Sequence, residues 1–108
     1  MGKLVRPPLH LGDTGKGFWK KIVAEYEFEP HHLEILGLAA KCLDRIASAR
    51  ELLDSEGVVV RDRFNCPKPH PAVAVELQNK TIFARLIREL GLDLADPGSR
   101  PPRINNQT

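Results

Sequence analysis

Apolar residues recur at helical spacing in three segments of the chain. In the first segment, about residues 14–28, one face is apolar and lysines lie on the other side. Asp13 or Thr14 can cap this segment at its start. The apolar face is made of Phe18, Trp19, Ile22, Val23 and Tyr26. We therefore predict a first helix that packs this face into the core.

The second segment, about residues 30–56, predicts a long helix with Pro30 in its first turn and Gly57 after its end. Its apolar arc is wider than one contact face requires, so we predict two partners, the protein's own core and a second copy of the chain. Arg50 lies within the arc and should either extend to solvent or pair with a carboxylate of another helix or subunit. The candidates for the subunit interface are Leu36, Leu43, Ile46 and Arg50.

The third segment, about residues 71–90, begins with Pro71 and is followed by Gly91. Proline suits the first turn of a helix and glycine suits the position just after its last turn. We therefore predict a third helix over this range. Glu76 interrupts its apolar stripe and is a candidate partner for Arg50.

The residues between the second and third helices favour extended structure. Residues 58–60 are three valines, which favour strands over helices. We predict a short β-hairpin whose turn lies near residues 62–65. Pro67 and Pro69 hold the chain extended after the turn, and His70 is expected to cap the third helix.

Together these elements predict a mainly α fold of three helices, with a short β-hairpin between the second and third. We expect an irregular lead-in over residues 1–12, a helical core over residues 13–92 and a mobile tail over residues 93–108. A chain of 108 residues is expected to form one small domain. Since no apolar run is long enough to cross a bilayer, we expect no membrane partner and a cytosolic protein.

Positive charge is concentrated toward the two ends of the chain. Residues 1–21 hold five basic side chains against one acid, whereas residues 22–57 hold eight acids against three bases. This asymmetry either places basic surface against a polyanion or simply solvates the surface. If the partner is DNA, the candidate phosphate contacts are Lys3, Arg6, Lys16, Lys20, Lys21, Arg61, Arg63 and Lys68.

The sequence contains few of the patterns that support catalysis or metal binding. It has no phosphate loop, nucleophile elbow or His-Glu-x-x-His motif. Cys66 and His70 have a Cys-x₃-His spacing, but zinc needs four converging ligands and no second chelating pair lies at close spacing. We therefore expect no enzyme, no metal and no cofactor.

Two stretches of the sequence carry a family resemblance. The second helix closes in "LLDSEGVVV", and the third lies in "HPAVAVELQNKTIFARLIRELGL". In order and spacing, Glu56 to Val60, His70 to Ala72 and Glu89 to Leu92 resemble motifs of the small subunit of tailed-phage terminases, in the branch that packages cohesive-end genomes. The resemblance covers about residues 14–92. His70 stands where the family usually has asparagine, and the sequence begins with "MGKLVRPP" where many relatives have a longer, lysine-rich arm.

The resemblance implies a viral DNA-packaging adaptor in the host cytoplasm, encoded by a phage or prophage. It implies a closed ring of about nine subunits that binds the packaging-initiation region of double-stranded viral DNA. The ring would recruit the large terminase subunit and regulate its ATPase and nuclease. Arg100 and Arg103 in the tail are candidate contacts for that partner.

Two alternatives remain open at this point. One is a small helix-turn-helix regulator of transcription, which would need a short second helix and a compact recognition helix. The other is a small metal-dependent enzyme built around Cys66 and His70.

Overall fold

The computed structural model describes residues 5–92, which form three helices and one two-stranded hairpin. In chain order the elements are α1 (Asp13–Glu25), α2 (Pro30–Glu56), β1 (Val59–Arg61), β2 (Pro67–Pro69) and α3 (Pro71–Leu90). The mainly helical fold, with a hairpin between the second and third helices, is confirmed. Within the described range, no helix is both long enough and apolar enough to span a membrane.

The predicted bounds of α2 and α3 agree with the structure, but α1 is shorter than predicted. It ends at Glu25 because Tyr26 adopts an extended backbone, with φ −132° and ψ 152°. Tyr26 and Phe28 instead place their side chains against the core cluster around Trp19. The predicted end at residue 28 was therefore wrong: apolar side chains reach the core from extended backbone as well as from a helix.

The N-terminus of α1 is capped by a residue of α2. Gly12 occupies the cap position and makes no side-chain hydrogen bond, so the predicted cap by Asp13 or Thr14 was wrong. The Asp44 carboxylate instead accepts hydrogen bonds from the N–H groups of Gly12 and Gly15, each at 2.7 Å. A carboxylate here also interacts favourably with the positive end of the helix dipole. Asp44 therefore fixes the start of α1 against α2.

The helix α2 packs against α1 and against α3 through two separate apolar clusters. The first cluster is formed by Leu11, Trp19, Ile22, Leu36 and Ala40. The second is formed by Ala49, Leu53 and Ala72. The width of the apolar arc on α2 is thus explained by two helices of the same chain. It does not by itself require a second copy, which corrects the inference drawn from the sequence.

The end of α3 returns to the first cluster. Gly91 has a φ of 70°, which a glycine adopts without strain, and the Leu92 N–H donates to the Ile87 carbonyl. Leu90 and Leu92 pack against the first cluster, and the ring of Phe83 meets Phe18 of α1 edge-on at 5.5 Å. Because α3 starts beside the second cluster and ends beside the first, it runs antiparallel to α2.

The spacing of the prolines in β2 matches the hydrogen-bonding pattern of the hairpin. Val60 pairs with Lys68 in the antiparallel register. On one side of this pair the Asp62 N–H donates to the Cys66 carbonyl, and on the other side the His70 N–H donates to the Val58 carbonyl. In such a ladder alternate residues turn their amides away from the partner strand. Pro67 and Pro69 occupy those outward positions, so neither removes a ladder hydrogen bond.

Two glycines of α1 provide a matched test of the contact with Asp44. A Cβ at Gly15 would lie 2.5 Å from Asp44 Oδ2 and 2.8 Å from the Ala40 carbonyl oxygen, whereas a Cβ at Gly17 would meet nothing within 4 Å. We expect Gly15→Ala to lower the free energy of unfolding by about 1–3 kcal/mol, since the helices must separate. Gly17→Ala should raise it by about 0.5–1 kcal/mol.

Urea unfolding followed by circular dichroism measures both glycine variants. Equal effects of the two substitutions would contradict the close approach of α1 to α2 at Gly15.

Candidate nucleic-acid interface

The hairpin extends from the helices as an arm, which we define as residues 58–69. Within the arm, Val60 and Asp62 are half-buried and the other side chains are exposed. A two-stranded hairpin that buries so little surface is marginally stable without other constraints. The conformation of the arm must therefore depend on its turn and on its base.

The turn of the arm is organised by Asp62. Its Oδ1 accepts hydrogen bonds from the N–H groups of Phe64 and Cys66 at 2.8 and 3.0 Å, and its carbonyl accepts one from the Asn65 N–H at 2.9 Å. Asn65 has a φ of 63°, a left-handed conformation that asparagine tolerates. The bond from the Cys66 N–H, followed by that from Phe64 and the contact with Lys68, lowers the pKa of the Asp62 carboxyl. The turn near residues 62–65 is therefore confirmed, and its acceptor is charged at neutral pH.

The three basic side chains predicted to bind phosphates here lie close together around this turn. Arg61 donates from Nη1 to the Asn65 carbonyl at 2.8 Å, and Lys68 Nζ lies 3.6 Å from Asp62 Oδ2. The guanidinium of Arg63 lies over the Phe64 ring, 5.1 Å from its centroid. With Asp62 as the one acid, the arm has a net charge of +2. These contacts place the cations around the turn on an exposed surface.

His70 forms the base of the arm. Its Nδ1 accepts a hydrogen bond from the Ala72 N–H at 2.9 Å, which confirms the predicted cap of α3. Its Nε2 lies 2.7 Å from Glu56 Oε1, and the tautomer with the proton on Nε2 satisfies both contacts by donating to that carboxylate. A metal bound by His70 and Cys66 would have to displace one of these bonds. Among residues 5–92, no three His, Cys, Asp or Glu side chains are placed to hold a metal ion together.

The other predicted phosphate contacts lie away from the arm. Lys20 and Lys21 are exposed on α1, and Lys16 is half-buried. The start of α1 lies beside Asp44, whereas the arm follows Glu56, roughly 18 Å farther along the α2 axis. The structure thus separates the candidate cations into two groups, which would touch a long polyanion at two places.

The remaining basic candidates lie outside both groups. Arg6 is exposed on the irregular segment before α1. Lys3, Arg100 and Arg103 fall outside the described residues.

Of the four side chains predicted at a subunit interface, one is covered within the subunit itself. Leu36 is 0% exposed because it packs in the first cluster, so its prediction as an interface residue was wrong. Leu43 and Ile46 are half-buried and stay candidates. Arg50 pairs with Glu76 at 3.3 Å, as one of the two sequence-based alternatives predicted, and its role between subunits stays a prediction.

Two exposed features were not singled out from the sequence. Phe64 lies in the turn of the arm and is 71% exposed. A groove of about 330 Å³ separates α2 from the start of α3, and its lining includes Leu52 and Val75 as well as the charged Lys41, Asp44 and Arg45. The only sequence signal for Phe64 was a large apolar residue between charged and turn-forming ones. The groove had no local signal, since it needs two helices to form it.

Comparisons with known proteins add no relative to this description. No family model, curated protein or solved structure matches the chain. Its function therefore has to be inferred from the described side chains and from the sequence motifs.

The Asp62 turn predicts a measurable loss of order in the arm. In Asp62→Ala the amides of Phe64 and Cys66 have no acceptor, so we expect their hydrogen exchange to accelerate by about tenfold or more. Asp54→Ala, which removes an exposed carboxylate from α2, is the matched control and should leave these amides unchanged. Unchanged exchange in Asp62→Ala would contradict the assigned role.

Acid should reproduce the effect of this substitution in the unaltered protein. Because the folded-state pKa of Asp62 is lowered, its carboxylate stabilises the turn at pH values above its unfolded pKa. That contribution disappears as the pH falls through the folded value, below about pH 4. Exchange measured on a descending pH series, after correction for intrinsic rates, tests this direction.

Proposed function

We propose that this chain is a terminase small subunit, a viral DNA-packaging adaptor that binds the packaging-initiation region of phage DNA as a closed ring. It recruits the large terminase subunit and regulates its ATPase and nuclease. The observation that carries the DNA-binding part is the exposed arm, whose net charge of +2 is held around a preorganised turn. Such a surface neutralises phosphates without reading bases.

The terminase part of the proposal is supported by the locations of the three motif segments. Glu56 to Val60 joins α2 to β1, His70 to Ala72 begins α3, and Glu89 to Leu92 ends it. Each segment therefore lies where a helix begins or ends. The resemblance thus rests on residues that set the limits of the helices. The 27 residues of α2 favour this proposal over a compact helix-turn-helix regulator.

A ring would make the weak contacts of one subunit effective together. Each subunit offers the arm and the lysines of α1, and a closed oligomer repeats both around its circumference. A cyclic interface joins two different faces of each subunit. Apolar side chains left exposed by the subunit's own core, Leu38 and Leu52 on α2 and Leu77 and Ile82 on α3, support such faces.

The remaining partners follow from the proposed role. The large subunit would supply the ATP and metal sites, so no catalytic residue is assigned to this chain. Arg100 and Arg103 are proposed contacts with that subunit. The proposed setting is the cytoplasm of a host cell during packaging.

The native mass of the free protein tests the ring. We expect one large closed oligomer at micromolar concentration, measured by native mass spectrometry. Leu52→Asp should shift the mass toward smaller species, because Leu52 is a half-exposed apolar residue of the proposed interface. Leu9→Asp is the control, since Leu9 is 97% exposed on the segment before α1. A stable monomer or dimer of the unaltered chain would contradict the ring.

A charge reversal on α1 tests the second group of DNA contacts. We expect Lys16, Lys20 and Lys21 changed together to glutamate to weaken duplex binding and to reduce the salt slope by about 0.9 for each phosphate that is no longer neutralised. The control changes Lys80, Arg85 and Arg88 of α3 to glutamate, which gives the same net charge on another helix. Binding is measured by fluorescence anisotropy across a salt series. Equal reductions in the two variants would show that α1 makes no specific contribution.

A further inference from the structure

The tip of the arm presents an aromatic ring between cations. Phe64 is 71% exposed, and its backbone is fixed because its N–H donates to Asp62 Oδ1. Arg63 lies over the ring and Arg61 donates to the carbonyl of the adjacent Asn65. A large apolar side chain held this far out of the core contributes little to folding. An exposed ring beside cations suits a partner with both an apolar interior and negative charge.

The backbone that carries this ring is constrained at the turn and at the base of the arm. Asp62 accepts hydrogen bonds from two backbone N–H groups of the turn, and Pro67 and Pro69 restrict the backbone of β2. His70 fixes the base by accepting from the Ala72 N–H and donating to Glu56. A side chain on a constrained backbone can be pressed into a partner without being displaced. A side chain on a flexible loop would move away from that partner.

Charge decides between the possible partners of the tip. The groove between α2 and α3 on a second copy is lined by Lys41 and Arg45 together with Asp44, and a second depression is lined by Arg85 and Arg88 together with Glu89. Each lining holds two basic side chains against one acid, so neither offers the net negative charge that would attract the arginines of an approaching arm. Duplex DNA has anionic phosphates on either side of an apolar base stack, which matches the arrangement of cations around Phe64.

We propose that the arm is a DNA-bending wedge, in which Phe64 inserts between two base steps while Arg61 and Arg63 hold the flanking phosphates. This inference rests on the proposed DNA-binding function and assigns it a mechanism. Apolar wedges of this kind unstack a base step and kink the duplex by roughly 20–90°. Steps such as TA, which unstack readily, are the preferred places. The packaging adaptor would then bend the DNA that it delivers.

Bending and binding are measured separately on the full chain. The probe is a duplex of about 40 base pairs with a central TA step and a fluorophore at each end. Energy transfer between the ends reports the bend, and anisotropy of the same duplex reports affinity and its salt dependence. Fluorescence of 2-aminopurine beside the TA step reports unstacking.

The variants separate the ring of Phe64 from the charge of the arm. Phe64→Ala should abolish the bend and the 2-aminopurine signal, with a loss of affinity below about tenfold and an unchanged salt slope, because the phosphate contacts remain. Phe64→Leu keeps an apolar wedge and should retain both signals. Val59→Ala removes an exposed apolar side chain from β1 and is the matched control, with no expected effect on bending.

Three kinds of outcome would overturn the wedge. The first is binding of the duplex by the wild-type protein without a bend, or an equal bend with the Phe64→Ala variant. Either result would leave the proposed DNA-binding function standing. The second is no duplex binding at all, which would remove the proposed function as well. The third is Phe64-dependent binding to anionic phospholipid vesicles with no bend in DNA, which would assign the tip to a membrane surface.

Discussion

His70 is the residue on which the arrangement of the described chain depends most. Its Nδ1 caps α3 through the Ala72 N–H, its Nε2 donates to Glu56 at the end of α2, and its backbone N–H donates to the Val58 carbonyl at the base of the arm. One residue therefore connects both long helices and the hairpin. Because Nδ1 and Nε2 have opposite roles, only the neutral imidazole with its proton on Nε2 satisfies both contacts. The direction of the arm and the start of α3 are fixed together.

The first N–H groups of a helix need acceptors, and α1 finds them in a different way from α3. There the exposed N–H groups of Gly12 and Gly15 are satisfied by Asp44, which lies far along the chain on α2. The cap of α3 could be predicted, because His70 and the proline after it are local signals. The cap of α1 could not, because a side chain that arrives from another helix leaves no pattern near the helix that it caps. The start of a helix can therefore be predicted from the sequence when its cap is a neighbouring residue, but not when the cap comes from another helix.

Hydrophobic periodicity predicts that a side chain is covered, but not what covers it. The wide arc of α2 predicted the core and a second copy as partners, whereas α1 and α3 of the same chain already cover it. Leu36 was misassigned for that reason. The basic candidates could be named from the sequence, because the charge of a side chain is read directly from it. Their division into a group on α1 and a group on the arm could not be predicted without the fold. Phe64 was missed because an isolated apolar residue in a turn has no period to reveal it.

The arm keeps its conformation by constraints on the backbone and by polar contacts, with little burial of apolar surface. Proline at alternate positions gives β2 its extended form and leaves no N–H on its outer edge at residues 67 and 69, so that edge cannot recruit another strand through those groups. The turn is held by hydrogen bonds to Asp62, which need no core. A hairpin stabilised in this manner can leave its apolar and basic side chains outside. The arm can stay exposed because its conformation does not depend on burying it.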